Sequence, residues 1–211
     1  MPHLLSVNVG APQLLPGSTA PTGIIKTPRT GPVLIDASGV LGDAVMDRRH
    51  HGGVDQAVYI YLQSDYDFWA AELGELPAPG TFGENLTIAG IAGETLCVGD
   101  RLQIGDVLLE ITSHRTPCNT FARRMGDRGW VKRFQRALRP GAYMRVLAGG
   151  SVEAGMEVGY MPFGGERVTL AEFMAVVAMR IIPDATMRRF LAAPVHYKTR
   201  ADFEARLAQG S

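Results

Sequence analysis

The sequence predicts a mainly β fold of the α+β class: a closed or nearly closed β-barrel with a few helices, then a small all-α tail of three helices. Three observations carry this. Short runs of β-forming residues are broken by Gly and Pro through the first three-quarters of the chain. Two glycine turns, Gly105-Asp106 and Gly149-Gly150, each lie between such runs and read as hairpins. After Pro162-Phe163-Gly164-Gly165 the apolar residues change to helical spacing.

Taken in order, Leu4 to Val9 and Gly23 to Lys26 are short strand candidates, and Ala57 to Leu62 is a third, rich in β-formers. Leu102–Ile104 with Val107–Ile111, and Tyr143–Leu147 with Ser151–Val158, form the two expected hairpins. Many short strands with regular turns point to a barrel. Ser64 to Leu73 reads as a helix, with Ser64 as its cap and Gly74 after its end. A basic amphipathic helix runs from about Arg128 to Leu138 and stops at Pro140.

In the tail, Thr169 and Glu172 form a capping box for a helix ending at Pro183. Asp184 caps a second helix to Ala193, stopped by Pro194, and Thr199 with Asp202 starts a third to Leu207. The domains expected are a barrel over 1–163 and a three-helix domain over 167–211. Helices this short enclose little core alone. They are expected to pack together and against the barrel or a second chain, as in a dimer.

Composition bounds the function. The chain has 211 residues, 46% of them hydrophobic, so a sizeable core is available. Lys+Arg and Asp+Glu both total 21, which gives no support to non-specific nucleic-acid binding. Two cysteines, Cys97 and Cys118, make neither a disulfide framework nor a CxxC pair. The first residues lack the pattern of a signal peptide, and no apolar run is long enough to span a membrane. The cytoplasm, where thiols stay reduced, is the expected compartment.

Three segments carry chemistry. The strand Leu108 to Ile111 leads into Thr112-Ser113-His114-Arg115-Thr116-Pro117-Cys118, which places a thiol beside a guanidinium and an imidazole. Nearby cations favour the thiolate, the form that attacks electrophiles and binds metal. A buried structural cysteine is the alternative. In Gly39 to Gly53, two glycine pairs bracket the basic run Arg48-Arg49-His50-His51, a loop able to wrap an anion or to lie solvated at the surface. No Cys/His pair sits at finger spacing, so zinc is not indicated. In Gly80-Thr81-Phe82-Gly83-Glu84-Asn85-Leu86-Thr87, Asn85 has donors and an acceptor for a heterocycle, or for an Asx turn.

Together, "GDxxxDRRHHGG", "FGENLT", "CVGD" and "LEITSHRTPC", in this order over about 80 residues, resemble the MOSC domain, the C-terminal domain of molybdenum cofactor sulfurase. The likeness is closest to the YiiM-like branch, whose chains close with a three-helix domain. The resemblance implies a β-barrel that binds the molybdenum cofactor (molybdopterin), with Cys118 as metal ligand. It further implies that Lys26 and Thr27, with Arg48 or Arg49, hold the phosphate, and that His51, Asn85 and Arg115 surround the pterin and metal.

The implied activity is reduction of N-hydroxylated compounds, such as hydroxylaminopurines, to amines. His51 or His114 would deliver a proton. Pyridoxal phosphate is not required. Two cysteines cannot build a Cys₄ iron–sulfur site, and no GxGxxG segment is present, so a separate electron-donor reductase is implied. The alternative is a sulfur or cofactor carrier using a persulfide or thiolate on Cys118. Because every chemical motif precedes Val158, the tail is expected to be dispensable for cofactor binding.

Overall fold

The computed structural model describes residues 1–47 and 51–209. Thirteen strands are present among them: β1 (His3–Gly10), β2 (Gln13–Leu14), β3 (Pro21–Thr22), β4 (Lys26–Pro28), β5 (Val33–Asp36), β6 (Gly39–Val40), β7 (Val58–Leu62), β8 (Leu86–Ala89), β9 (Arg101–Ile104), β10 (Val107–His114), β11 (Ala142–Ala148), β12 (Gly150–Val152) and β13 (Gly159–Met161). The helices are α1 (Gln63–Leu73), α2 (Asn119–Arg124), α3 (Trp130–Ala137), α4 (Leu170–Val177), α5 (Asp184–Leu191) and α6 (Tyr197–Gln209). The class is the expected one: a strand-rich body with a helical tail.

One sheet dominates, in the order β13-β9-β10-β11-β7-β8-β1-β4, with β7 and β8 its parallel pair. Its ladder is open, yet its ends curl together. The Leu4 N–H donates to Met156 O (2.9 Å), Gly155 N–H to Leu4 O (2.7 Å) and Val158 N–H to Pro2 O (3.0 Å). Residues 155–158 run directly into β13, so irregular bonds bridge the gap that a barrel ladder would close.

Strand alternation explains the core. Val58, Ile60 and Leu62 of β7 join a large aliphatic cluster, while Tyr59 and Tyr61 point to the other face. There they meet Tyr66 and Trp69 of α1, Phe82, Phe121 of α2, and Trp130 and Phe134 of α3. An alternating Tyr/aliphatic strand thus divides one core into an aliphatic side and an aromatic side, and the functional cavity lies on the aromatic side.

Several local expectations are corrected. Gly23–Ile25 is not a strand; it links β3 to β4, and a Cβ on Gly23 would sit 1.8 Å from Ala44 O. Gly149-Gly150 is not a hairpin turn, because β12 pairs with β5 rather than β11. Ser64 does not cap α1. Its hydroxyl accepts from Gly93 N–H (3.0 Å), and Leu62 holds the cap position. Gly74 does end α1, in the left-handed conformation (φ 78°). Thr169 caps α4 by accepting from Glu172 N–H (3.1 Å), but the Glu172 carboxylate pairs with Arg189 instead of closing the box.

The tail shares its core with the sheet. Val168, Leu170, Phe173, Phe190, Phe203 and Leu207 belong to the same apolar cluster as Val98, Leu109 and Ile111. Asp100, fully buried, pairs with Arg167 and accepts from Tyr160 Oη (2.7 Å) and Phe163 N–H (2.8 Å). The segment after β13 therefore meets the sheet through the buried Asp100 carboxylate and its partners, not as a free linker.

Candidate functional site

A cavity of about 260 Å³ opens on the aromatic side of the sheet. Six stretches of chain build it. Ser18 to Lys26 supplies one wall and Asp43 to Asp47 another; His51 and Gln56 lead into β7, which carries Tyr59; Gly83 and Asn85 precede β8; Arg115, Cys118 and Thr120 follow β10, with Tyr143 from β11. Lys26, Asn85, Arg115, Cys118 and His51, dispersed over more than 90 residues, are thus brought to one cavity.

Cys118 stands at the N-cap of α2 with extended backbone (φ −131°, ψ 175°) and is half-buried. Pro117 before it favours the extended approach, and the helix starts at the next residue. Burial alone would raise its thiol pKa. The His51 imidazole hydrogen bond, the Phe121 backbone N–H and the Arg115 charge outweigh that and lower it from 9.0 to about 7. Cys97 is its opposite: buried, with its thiol pushed up by burial.

Arg115 is buried between two rings, 5.0 Å from the Tyr59 centroid and 4.7 Å from that of Phe121. It also donates to Phe82 O. A side chain at Gly83 (φ 77°) would crowd Ile24 at 3.0 Å and Arg115 at 3.4 Å, so the glycine keeps this wall open.

Lys26 and Asp43 form a buried ion pair, with side chains 8% and 7% exposed. Burial pulls the lysine pKa down, and Asp43 opposes it. Asp43 also accepts from Gly10 N–H (2.8 Å) and from Asn85 Nδ2 (2.9 Å). Asn85 in turn accepts from Tyr59 N–H (3.1 Å). Its carboxamide therefore ties β7, β1 and Asp43 together, although the residue lines the cavity.

Two expected site residues are not at the cavity. Thr27 is exposed on β4, because successive residues of a strand face opposite ways and Lys26 faces in. His114 is buried under the tail, its ring 4.9 Å from Phe173, and burial lowers its pKa to about 4. That removes it as a proton donor to the cavity. Arg48 and Arg49 lie outside the described residues.

Sequence reasoning missed Asp43, Gln56, Tyr59 and Tyr143. Gln56 carries a buried side-chain oxygen without a partner at the cavity wall. Asp43 was legible as the acid of the glycine-bracketed loop, but its pairing with Lys26 spans a fold, not a motif. Among the described residues, no group of three or more His, Cys, Asp or Glu is placed to hold a metal ion. A metal at Cys118 would take its remaining ligands from a cofactor or solvent.

Residues 47–159, more than half of the chain, match the MOSC domain family. The chain belongs to the MOSC family. Across 79% of its length this MOSC chain is 33% identical to YflK of Bacillus subtilis (strain 168), covering 76% of that protein. It is 37% identical over 142 residues to a protein named Reductase from Gibberella moniliformis (strain M3125 / FGSC 7600), spanning 25% of that longer protein and 64% of itself. The crystal structure of YiiM from Geobacillus stearothermophilus superposes with a TM-score of 0.80 at 25% identity, covering 98% of this chain and 100% of that one. The MOSC chain thus matches the YiiM structure over its helical tail as well as its sheet. No helix among its described residues is long and apolar enough to cross a membrane.

Proposed function

We propose that this MOSC protein is an oxidoreductase that binds the molybdenum cofactor and reduces N-hydroxylated compounds, such as hydroxylaminopurines, to amines. The observation that carries the reading is Cys118: a half-buried thiol, held near pKa 7, in the wall of a cavity that also has cations. Thiolate is a soft ligand suited to such a metal. The longer relative named Reductase supports the redox class.

The cavity's donors suit an anionic pterin. Lys26 lines the cavity and has N–H donors beyond the one given to Asp43, and these would hold the cofactor's phosphate. Arg115 adds fixed positive charge next to the thiolate. The Gln56 oxygen, without a partner among the described residues, would accept from a heterocycle N–H. A cofactor held here would supply the two-electron redox couple that N–O reduction needs. His51, whose imidazole helps lower the Cys118 pKa, would provide the proton that the departing oxygen needs. The balance is R–NHOH plus two electrons and two protons, giving R–NH₂ and water, so a separate donor must deliver the electrons. A cytoplasmic setting suits the reduced thiol.

The test is molybdenum content and N-hydroxyl reduction after cofactor reconstitution. Wild type should hold stoichiometric metal, Cys118→Ser should lose it, and Cys97→Ser should resemble wild type. Equal losses in the two variants would refute the assignment. The same accessible thiolate favours a second reading, a carrier of sulfur on Cys118. Cyanide-labile sulfur without bound metal would select it.

A further inference from the structure

The segment Arg123 to Arg139 contains seven of the chain's 21 Lys+Arg residues and one acid, Asp127. The chain as a whole is neutral, so this is a local concentration of charge. It covers α2, α3 and the turn between them. Arg128, Lys132 and Arg136 are exposed and form no ion pair among the described residues. The cofactor reading makes no use of them.

This face adjoins the cavity. α2 begins immediately after Cys118 and, at six residues, is about 9 Å long. From its far end, Arg123 reaches back to Gly17 O (3.1 Å), beside the cavity residue Ser18. Protein, not solvent, fills the interval. Phe121 packs on Phe134 (5.0 Å) and Trp130 (6.1 Å), and Arg133 covers Trp130 at 5.1 Å.

We infer that the α2–α3 face is the docking surface for an acidic electron-carrier protein bearing a reduced flavin or iron–sulfur centre, which reduces the site at Cys118. The inference rests on the proposed function, which requires two electrons that this chain cannot supply. A carrier with one electron to give docks twice per turnover; the two protons come from water through the cavity. Electron transfer falls steeply with distance, so the donor must bind near the thiol, and this face is both near and strongly positive. Unpaired exposed cations steer an anionic partner and leave a binding that salt weakens. The neutral total charge speaks against nucleic acid as the occupant.

The test uses the full chain, an acidic flavodoxin as probe, and the triple variant Arg128→Glu/Lys132→Glu/Arg136→Glu. None of the three residues lines the cavity. Binding is titrated directly at low ionic strength, with folding checked by thermal melting. Wild type should bind, with affinity falling as salt is added, and the triple variant should bind about 10-fold more weakly or worse. After reconstitution, the flavodoxin-driven rate should fall in parallel, while the rate with reduced methyl viologen stays within about twofold. Absence of wild-type binding, or equal binding by the folded variant, overturns the inference. So does wild-type preference for a single-stranded oligonucleotide over flavodoxin. Loss of viologen-driven reduction in wild type would instead strike the proposed function, because the binding titration reads the surface alone.

Discussion

His51→Ala is expected to unmask the ordinary chemistry of the Cys118 thiol. In the native protein the imidazole does most to offset burial and hold the pKa near 7. Without it, burial pulls the thiol back toward its unperturbed value of 9.0. In the limit where Arg115 and the Phe121 N–H only cancel burial, the thiolate fraction at pH 7 falls from about half to about 1 in 100. The less acidic thiolate is intrinsically more nucleophilic, by about 10-fold for two pKa decades. The net loss in alkylation rate at pH 7 is therefore about fivefold, while above pH 9 the variant should react faster than wild type. The assay is the rate of iodoacetamide modification of cofactor-free protein from pH 5 to 10, read by peptide mass spectrometry. Cys97, buried with a raised pKa, serves as the slow internal control. A His51→Ala profile that keeps its midpoint near 7 would show that the imidazole does not set the thiol's acidity.

Three further outcomes follow from buried groups. His114 holds a pKa of about 4 against 6.5 unfolded, so between those values the unfolded chain binds the extra proton. Stability is then full above pH 6.5 and should fall by about 3 kcal/mol by pH 4; His114→Leu should flatten that slope in urea titrations. Lys26→Met leaves Asp43 as an unpaired buried carboxylate and should cost about 3–5 kcal/mol. Adding Asp43→Asn should recover part of this loss, and strictly additive losses in the double-mutant cycle would refute the coupling. Gly23→Ala forces a Cβ to within 1.8 Å of Ala44 O at the cavity rim. It should lower stability by about 1–3 kcal/mol or more and loosen cofactor retention, and an unchanged melting temperature would contradict the close approach.

Part of this molecule is legible in the order of neighbouring residues alone. The alternation Val58-Tyr59-Ile60-Tyr61-Leu62 sets two faces for β7 whatever its neighbours are, because strand side chains alternate. Cys118 was legible for a similar reason: a strand, a short polar turn and a proline place the thiol at a helix start within one continuous segment. Capping at Thr169 and the left-handed stop at Gly74 are likewise contacts within a few residues. Tertiary structure alone decided the rest. The partner of β12 is β5, more than 100 residues away in sequence, so the glycine pair at 149–150 could not announce it. Lys26 and Asn85 met Asp43 instead of standing free, since buried charges and amides must find partners wherever the fold brings them. His114 lost its proton-donor role when Phe173 of the tail covered it. Local patterns define faces and chain ends, whereas solvation and pairing are set by residues distant in sequence, and at this cavity they decide which side chains remain available to a ligand.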